Sequence, residues 1–272
     1  MSSSSLVSII IPMYNSQETI IKTVLSALSQ TYENTEILII NDGSTDNSLS
    51  ILKSIKNKKI KIYSQRNKGP SAARNYGAKK AKGEFLSFLD ADDTWLENKI
   101  ETEIKLILKK NISCIISGVN IYVNSHVSKK ISKKNISHSN LFVFNYGVCG
   151  SNLTIKKEFF LNYQYKSEFD GVEDYELLLR ITEKNNLLST NKYLVNYFYK
   201  PVKKRKYWNL LFSKIESKKM KSSLYFDRFT QLLYERRFSY NLLWLSFINS
   251  PSIFYKKILF VLHIKFRSLF FR

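Results

Sequence analysis

Short apolar runs that end at acidic residues are the feature of this sequence that most constrains its fold. The run Glu36–Asn41 is followed by Asp42, and the run Phe85–Leu89 is followed by Asp-Ala-Asp-Asp at residues 90–93. Apolar runs of this length between turn residues are typical of buried parallel strands. Because ligands of open α/β sheets bind outside the carboxyl ends of the strands, we expect these carboxylates to lie around a binding crevice.

Strands and helices are predicted to alternate over residues 6–123. Strand patterns separated by helical patterns of about 10–15 residues indicate βαβ units. We therefore expect an α/β domain built on a mixed, mostly parallel sheet that is flanked by helices. The predicted strands are Leu6–Ile11, Glu36–Asn41, Lys59–Tyr63, Glu84–Leu89 and Ser113–Val123.

The segments between these strands carry helix signals. Asn15 or Ser16 is predicted to cap a first helix, and Asp46 is predicted to cap a second. Pro70 stands where proline is tolerated in the first turn of a third helix, and Trp95–Lys110 is predicted to form a fourth. The apolar face expected for the first helix consists of Ile20, Ile21, Val24, Leu25 and Leu28.

The pattern becomes less regular after residue 123. Residues 124–146 are polar and predict a loop or a short hairpin. Glu176 and Arg180 are spaced as an ordinary ion pair on one helix face. The further predicted elements are a strand at Val148–Ile155, helices at Lys157–Tyr163 and Val172–Lys184, and a strand at Leu187–Tyr199.

Asp90 and Asp92 lie one residue apart at the end of a predicted strand, so both can face one crevice. Their like charges repel, which is costly unless a cation or hydrogen-bond donors compensate. Mg²⁺ and Mn²⁺ bind through one or two carboxylates together with substrate phosphates. These residues alone leave two interpretations open, a divalent-ion site or a capping turn before Trp95.

The ends of the first two predicted strands also allow two interpretations. No glycine-rich loop follows the first strand, which argues against a dinucleotide-binding loop and against a phosphate-binding Walker A loop. Tyr14 either stacks on a base or is a surface aromatic at a turn. Asp42-Gly43 is a strong turn signal, and Asp42 is alternatively an acceptor for the ring N–H of a base.

Five segments follow one another in a fixed order between residues 6 and 180. They are Val7–Asn15, Ile40–Asp46, Asn67–Asn75, Phe88–Asp93 and Glu173-Asp174. In order and spacing they resemble the family 2 glycosyltransferases of bacterial surface-polysaccharide synthesis, inverting enzymes with the Rossmann-like GT-A fold. The resemblance implies a GT-A domain over residues 1–200 that binds a nucleotide sugar and carries the active site.

The resemblance implies a nucleotide pocket formed by residues from three of these segments. Pro12, Tyr14 and Asp42 would surround the base, which is usually uracil. Arg74 would line the nucleotide pocket, although its position alone is equally that of a solvated helix arginine.

The acidic segments receive the remaining roles. Asp90 is implied to lie near the ribose, and Asp92, with Asp90, to ligate Mn²⁺ or Mg²⁺. Asp93 is an additional carboxylate without an implied role. Glu173 and Asp174 match the catalytic pair, in which the aspartate takes the proton from an acceptor hydroxyl that attacks and inverts the anomeric carbon. Carboxylates at a helix N-terminus are alternatively stabilised by the helix dipole alone.

The positive charge is concentrated in the last quarter of the chain. Residues 200–272 hold 17 Lys or Arg and 3 Asp or Glu, so they supply +14 of the formal +21. Basic amphipathic helices with Trp, Phe and Leu lie in the membrane interface. Residues 242–264 are apolar but interrupted by charge and proline, so a spanning helix is rejected. We predict a basic helical region over residues 201–272, with 203–272 binding an anionic membrane; packing helices with a solvated basic face are the alternative.

The predicted function is a metal-dependent hexosyl transfer from a donor, expected to be a UDP-sugar, to a lipid-linked lipopolysaccharide, O-antigen or capsule precursor. The processive-synthase pattern Q-x-x-R-W is absent, which favours transfer of one sugar at a time. A GDP- or dTDP-sugar donor with a soluble or protein acceptor is the alternative. A degenerate membrane-docked partner is the non-enzyme alternative, and nucleic-acid binding is disfavoured because it leaves the acidic crevice unexplained.

The expected compartment is the cytoplasm, at the inner leaflet of the bacterial membrane. Cys114 and Cys149 form no disulfide framework, and the three histidines have no ligand spacing. The polar run Ser2–Ser5 is not followed by the apolar core of a signal peptide.

Overall fold

The computed structural model describes residues 5–123, 126–130, 135–138, 141, 148–185, 187–199 and 246–254. The chain divides into two compact units, one of residues 1–136 with 146–202 and one of residues 137–145 with 203–272. In the second unit, residues 246–249 and 251–254 are helical. The rest of the basic region predicted for residues 201–272 lies outside the described residues.

The first unit is an α/β domain in which the predicted alternation of strands and helices is confirmed. Its described strands are β1 (Val7–Met13), β2 (Thr35–Asn41), β3 (Ile60–Ser64), β4 (Phe85–Phe88), β5 (Thr94–Trp95), β6 (Cys114–Val123), β7 (His126–Lys130), β8 (Asn135–Ile136), β9 (Leu153–Lys156) and β10 (Leu187–Phe198). Its described α-helices are α1 (Ile20–Leu28), α2 (Ser48–Lys53), α3 (Pro70–Lys80), α4 (Lys99–Lys110), α5 (Lys157–Tyr163) and α6 (Glu173–Thr182).

The strands form one mixed sheet in the order β3-β2-β1-β4-β9-β6-β10-β5, with β7 added to β6 and β8 to β10. The first four strands of this order are mutually parallel, as are β6 and β10. Strand β9 runs antiparallel between β4 and β6. The parallel block brings the carboxyl ends of β1 to β4 to one edge, where the acidic segments begin.

Both faces of β1 are covered, and the alternation of side chains along a strand explains how. Ile9 and Ile11 belong to the core cluster shared with α1 and α4. Ile10 faces the opposite layer, where a side chain at Gly77 of α3 would come within 2.6 Å of Ile10. Glycine at this position therefore allows α3 to pack directly on the sheet. Because both faces of β1 are buried, its sequence is a nearly continuous apolar run instead of an alternation of apolar and polar residues.

The apolar face predicted for α1 is partly wrong. Ile21 and Leu25 are 44% and 53% exposed, whereas Thr23 is buried beside Ile20 and Val24. The hydroxyl of Thr23 binds carbonyl groups of the loop after β4. A hydrogen-bonded threonine therefore stands on the inner face of α1 where an apolar residue was expected.

Two boundaries also differ from prediction. Trp95 does not begin a helix, because Thr94 and Trp95 pair with Asn196 and Val195 of β10, and α4 begins at Lys99. The strand predicted from Val148 begins at Leu153, after a 3₁₀ turn. In contrast, the i, i+4 pair on α6 is confirmed, with Nε of Arg180 2.7 Å from Oε1 of Glu176. Within the described part of the chain, none of the helices combines the length and apolar character needed to cross a bilayer.

Candidate active site

Backbone hydrogen bonds place the carboxyl ends of the parallel strands side by side. The amide of Asp42 donates to the carbonyl of Met13 at 2.8 Å, and the amide of Leu89 donates to the carbonyl of Ile10 at 3.0 Å. The segments that follow β1, β2 and β4 therefore start from one edge of the sheet. This edge is the ligand-binding edge of open α/β sheets.

Tyr14 and Asp42 stand at this edge in different environments. Tyr14 follows β1 and is 49% exposed, so its ring is accessible to a ligand. Asp42 is nearly buried, and its carboxylate accepts hydrogen bonds from the side chain of Gln65 and from the amides of Lys68 and Gly69, at 2.7–2.9 Å. Asp42 thus holds the loop before α3, and a carboxylate with about four acceptor sites retains capacity for one further donor.

Residues 90–93 form a tight turn directly after β4. The amide of Asp93 donates to the carbonyl of Asp90 at 3.1 Å, which closes the turn around Ala91 and Asp92. Asp90 and Asp92 are partly exposed. The interpretation as a capping turn before Trp95 is wrong, because Thr94 and Trp95 form a strand and α4 begins only at Lys99. The divalent-ion site at Asp90 and Asp92 stays a prediction.

Asp93, which had no predicted role, is fully buried. Its carboxylate accepts hydrogen bonds from the hydroxyl of Ser151 at 2.5 Å and from the amide of Phe198 at 3.0 Å. Burial raises the pKa of Asp93 well above its ordinary value, and the charge of Asp90 raises it further. Asp93 therefore faces the interior, whereas Asp92 is partly exposed.

Arg74 of α3 joins the β4 turn to the start of α6. Its side chain is only 3% exposed, with Nη2 2.6 Å from Oδ1 of Asp90 and Nη1 2.9 Å from Oε1 of Glu173. Oδ1 of Asp174 lies 4.0 Å from Nη1, and the guanidinium lies over the ring of Tyr165. Burial lowers the pKa of Arg74, but the three carboxylates outweigh it and raise the pKa well above its ordinary value. One buried cation therefore organises three acidic side chains.

The two acidic residues at the start of α6 have different surroundings. Glu173 is buried, and its carboxylate accepts hydrogen bonds from Arg74 and from the amide of Gly171. Burial raises the pKa of Glu173, but the charge of Arg74 outweighs it, so the pKa lies below its ordinary value. Asp174 is more accessible, with 21% of its side chain exposed. The helix N-terminus stabilises both carboxylates, and Asp174 is the more exposed of the two.

The donor set at this edge is compatible with a hard divalent cation. Asp92 and Asp90 offer partly exposed carboxylate oxygens, although Arg74 already occupies Oδ1 of Asp90. Among the residues that the structure describes, no group of three or more His, Cys, Asp or Glu side chains could hold a metal alone. Substrate phosphates would have to supply the remaining ligands, which is the usual arrangement for Mg²⁺ at phosphate sites.

Two residues of the site were missed in the sequence, Gly150 and Ser151. A side chain at Gly150 would come within 2.7 Å of Nη2 of Arg74 and 2.9 Å of the Asp90 carboxylate, so only glycine fits against this ion pair. Ser151 is fully buried against the 90–93 turn. The only local signal was a Cys-Gly-Ser-Asn turn sequence, which does not reveal a partner about 60 residues away in the chain.

The sequence is similar to a known protein family and to named bacterial enzymes. Residues 8–242 match the model for glycosyl transferase family 2. The chain is 37% identical over 189 residues to UDP-Glc:alpha-D-GlcNAc-diphosphoundecaprenol beta-1,3-glucosyltransferase WfgD of Escherichia coli, covering 68% of this chain and 73% of WfgD. It is 45% identical over 120 residues to WfaP of Escherichia coli, which has the same named activity, covering 43% of this chain and 47% of WfaP.

The fold was compared with solved structures. The crystal structure of S. aureus TarS 1-349 in complex with UDP-GlcNAc superposes with a TM-score of 0.66 at 17% sequence identity, covering 84% of this chain and 73% of that one. At this identity the similarity establishes the fold alone. The predicted architecture, a mixed, mostly parallel sheet flanked by helices, is thereby confirmed, and it is the fold of TarS.

Proposed function

The chain belongs to glycosyl transferase family 2, and from this premise we propose that it transfers one sugar from a UDP-linked donor to a lipid-linked glycan. The observation that carries the proposal is the Arg74 cluster. This guanidinium connects Asp90, at the predicted donor side, with Glu173 and Asp174, at the predicted acceptor side. Donor and acceptor would thus meet across one buried cation.

The donor nucleotide is proposed to lie along the carboxyl edge of β1, β2 and β4. The exposed ring of Tyr14 offers a stacking surface for the base, and the half-buried Pro12 precedes it by two residues, in β1. Asp42 is held rigidly by the loop before α3 and has acceptor capacity for a base N–H. Asp90 is partly exposed next to Arg74 and suits a ribose hydroxyl. These contacts support a nucleotide donor, and the names of WfgD and WfaP support UDP-glucose.

Asp92, with Asp90, is proposed to hold Mn²⁺ or Mg²⁺ together with the donor diphosphate. A bound divalent cation would neutralise charge on the departing diphosphate. The turn after β4 carries Asp92 on a short, closed loop. Little conformational entropy of the chain would therefore be lost when Asp92 binds the cation.

Asp174 is proposed to be the general base. It would take the proton of the acceptor hydroxyl as that oxygen attacks the anomeric carbon, while the bond from this carbon to the diphosphate oxygen breaks and the configuration inverts. Glu173 is proposed to support the reaction by holding Arg74. Its buried, hydrogen-bonded carboxylate at a lowered pKa is better suited to anchoring a cation than to accepting a proton.

The acceptor is proposed to be a polyprenyl-diphosphate-linked sugar, because WfgD and WfaP are named for GlcNAc-diphosphoundecaprenol. The test is a transfer assay with UDP-, GDP- and dTDP-sugars, Mn²⁺ and a synthetic GlcNAc-diphospholipid. We expect product with inverted anomeric configuration from a UDP-sugar. Product only from a GDP- or dTDP-sugar, or only on a soluble acceptor, would replace this proposal by the alternative donor or acceptor.

Asp92→Ala is predicted to weaken UDP binding in the presence of Mn²⁺ by about 10–100-fold, because it removes a carboxylate ligand of the cation. The melting temperature should change little, since Asp92 is partly exposed and lies at the tip of a turn. Titration calorimetry and thermal unfolding measure the two effects. Glu97→Ala, an exposed carboxylate in the following loop, is the matched control. Unchanged binding by the Asp92 variant would refute its assignment as a ligand.

The basic region is proposed to hold the enzyme at the cytoplasmic face of an anionic membrane, where a lipid-linked acceptor is reached. Each basic residue near such a surface contributes about 1 kcal/mol. We predict strong co-sedimentation with anionic vesicles and weak co-sedimentation with neutral ones. Binding should fall in high salt, because the Debye length drops from about 10 Å at 0.1 M to about 3 Å at 1 M.

Charge reversal provides the matched test of this membrane prediction. Changing Lys203, Lys204, Arg205 and Lys206 to glutamate should release the protein from anionic vesicles. The same change of charge at Lys53, Lys56, Lys58 and Lys105, exposed lysines of the first unit, should release much less. Equal binding to neutral and anionic vesicles would contradict the electrostatic account, and binding to neither would favour packing helices. The proposed apolar anchors are Trp208, Trp244, Phe254 and Phe260.

A further inference from the structure

The turn that presents Asp92 is held from two sides by buried hydroxyl groups. On one side, the hydroxyl of Ser151 accepts a hydrogen bond from the amide of Asp90 at 3.0 Å and donates to the Asp93 carboxylate at 2.5 Å. It therefore bridges the first and last residues of the turn. Ser151 is fully buried, so no water competes for these contacts.

On the other side, α1 binds the carbonyl groups of the same turn. The hydroxyl of Thr23 lies 3.0 Å from the carbonyl oxygen of Ala91 and 2.8 Å from that of Asp93, within hydrogen-bond distance of both. Thr23 is 1% exposed. The carbonyl before Asp92, that of Ala91, and the carbonyl after the turn, that of Asp93, are thus held, while Asp92 itself is partly exposed.

Ser151 is itself fixed by Trp95. The indole Nε1 of Trp95 donates to the carbonyl of Ser151 at 2.8 Å, and the ammonium group of Lys99 lies 4.1 Å from the center of the indole ring. Lys99 is fully buried and paired with Glu103 at 2.7 Å. The Ser151 hydroxyl is therefore anchored to a rigid part of the core rather than to a surface loop.

We propose that Thr23 and Ser151, here called the turn clamp, are positioning residues that set the affinity of the Asp92 carboxylate for a divalent cation bound with a nucleoside diphosphate. Neither hydroxyl is proposed to touch substrate or cation. Each acts through the turn, by removing conformations in which Asp92 points away from the crevice. Residues that orient a ligand carboxylate typically change metal affinity by about 10–100-fold when they are mutated.

This inference rests on the proposed function, because it presupposes a nucleoside-diphosphate site at Asp92. The probe is UDP, titrated by calorimetry into the full chain with Mn²⁺ and again in EDTA. Ser151→Ala and Thr23→Val are expected to raise the Kd of UDP with Mn²⁺ by about 10–100-fold. In EDTA both variants are expected to bind UDP with the same Kd as the parent chain, because Asp92 is proposed to contribute to UDP binding only through the cation.

Ser117→Ala is the matched control. Ser117 is also buried, and its hydroxyl also donates to a buried carboxylate, Glu103, at 2.5 Å, but it does not contact the 90–93 turn. We expect it to lower the melting temperature about as much as Ser151→Ala without changing the Kd of UDP. The same rise in Kd for Ser117→Ala, or an equal rise with and without Mn²⁺ in the clamp variants, would overturn the proposal in favour of general destabilisation.

The UDP titrations distinguish a failure of the turn clamp from a failure of the proposed donor site. If the parent chain binds UDP with Mn²⁺ and both clamp variants bind it equally tightly, the positioning role is overturned and the proposed donor site stands. If the parent chain binds no UDP with Mn²⁺, the proposed donor site is overturned, and the clamp with it. A steady-state measurement adds a second readout, because the clamp variants should raise the donor KM more than they lower kcat.

Discussion

Asp174→Asn is expected to lower turnover by about 10²–10⁴-fold, the usual loss when a general base is removed. The substitution keeps the shape of the side chain and leaves the Arg74 ion pairs with Asp90 and Glu173 in place. UDP affinity should therefore change little. Turnover in the transfer assay and UDP binding by calorimetry measure the two quantities on the same protein.

The control for this variant is Glu176→Gln, one turn further along α6. Glu176→Gln removes the same charge, but the ion-pair partners of Glu176 are Arg180 and Lys166 rather than Arg74. We expect Glu176→Gln to reduce stability and to keep turnover near that of the parent chain. A large loss of UDP affinity with near-normal turnover in Asp174→Asn would reassign Asp174 to the donor pocket.

Arg74→Met is expected to lower the free energy of unfolding by about 3–5 kcal/mol, the usual cost of removing one partner from a buried ion pair. Methionine fills much of the volume of the arginine side chain. The decrease in the free energy of unfolding therefore measures the cost of leaving the carboxylates of Asp90 and Glu173 without their cation. Denaturant unfolding measures the effect. Lys61→Met is the control, because Lys61 pairs with Glu36 but is 38% exposed. Glu36 is buried but keeps hydrogen bonds from the hydroxyl of Ser8 and the amide of Lys82, so Lys61→Met should cost less than Arg74→Met.

The pH dependence of the Arg74→Met effect has a definite sign. In the parent chain the pKa of Glu173 lies below its ordinary value, so its contribution is present at neutral pH and is lost as the pH falls through the folded-state pKa. Without Arg74, burial is the largest influence on Glu173 and raises its pKa against the hydrogen bond from the amide of Gly171, so protonation relieves the unpaired charge. The stability difference between the two proteins should therefore shrink as the pH is lowered from about 7 to about 4. A difference that grows on acidification would show that Glu173 is not the group left unpaired.

The sheet and its ligand-binding edge were predictable because their signals are local. An apolar run bounded by turn residues predicts a buried strand, and β1, β2 and β4 appear within a few residues of the predicted positions. Parallel strands place their carboxyl ends together, so the convergence of Tyr14, Asp42 and Asp90 followed from the strand assignment. The positive φ of Gly43, at 74°, likewise agrees with the turn expected from Asp42-Gly43.

The inner face of α1 was not predictable from periodicity. Counting apolar residues selects Ile21 and Leu25, both of which are exposed, and passes over Thr23. A buried threonine is favourable only where its hydroxyl finds a partner. That partner is the carbonyl of Ala91, 68 residues away in the chain, and no local pattern contains this information.

The order of strands and helices, the edge at which the acidic segments meet, and the family all follow from short patterns in the chain, so they could be predicted. The different environments of the acidic residues could not be predicted, because they depend on contacts that the fold creates. Arg74 meets Asp90 and Glu173 across 16 and 99 residues of chain, and Ser151 buries Asp93 across 58. Burial and ion pairing depend on these long-range neighbours, so chemically identical carboxylates at 90, 92 and 93 acquired three different environments.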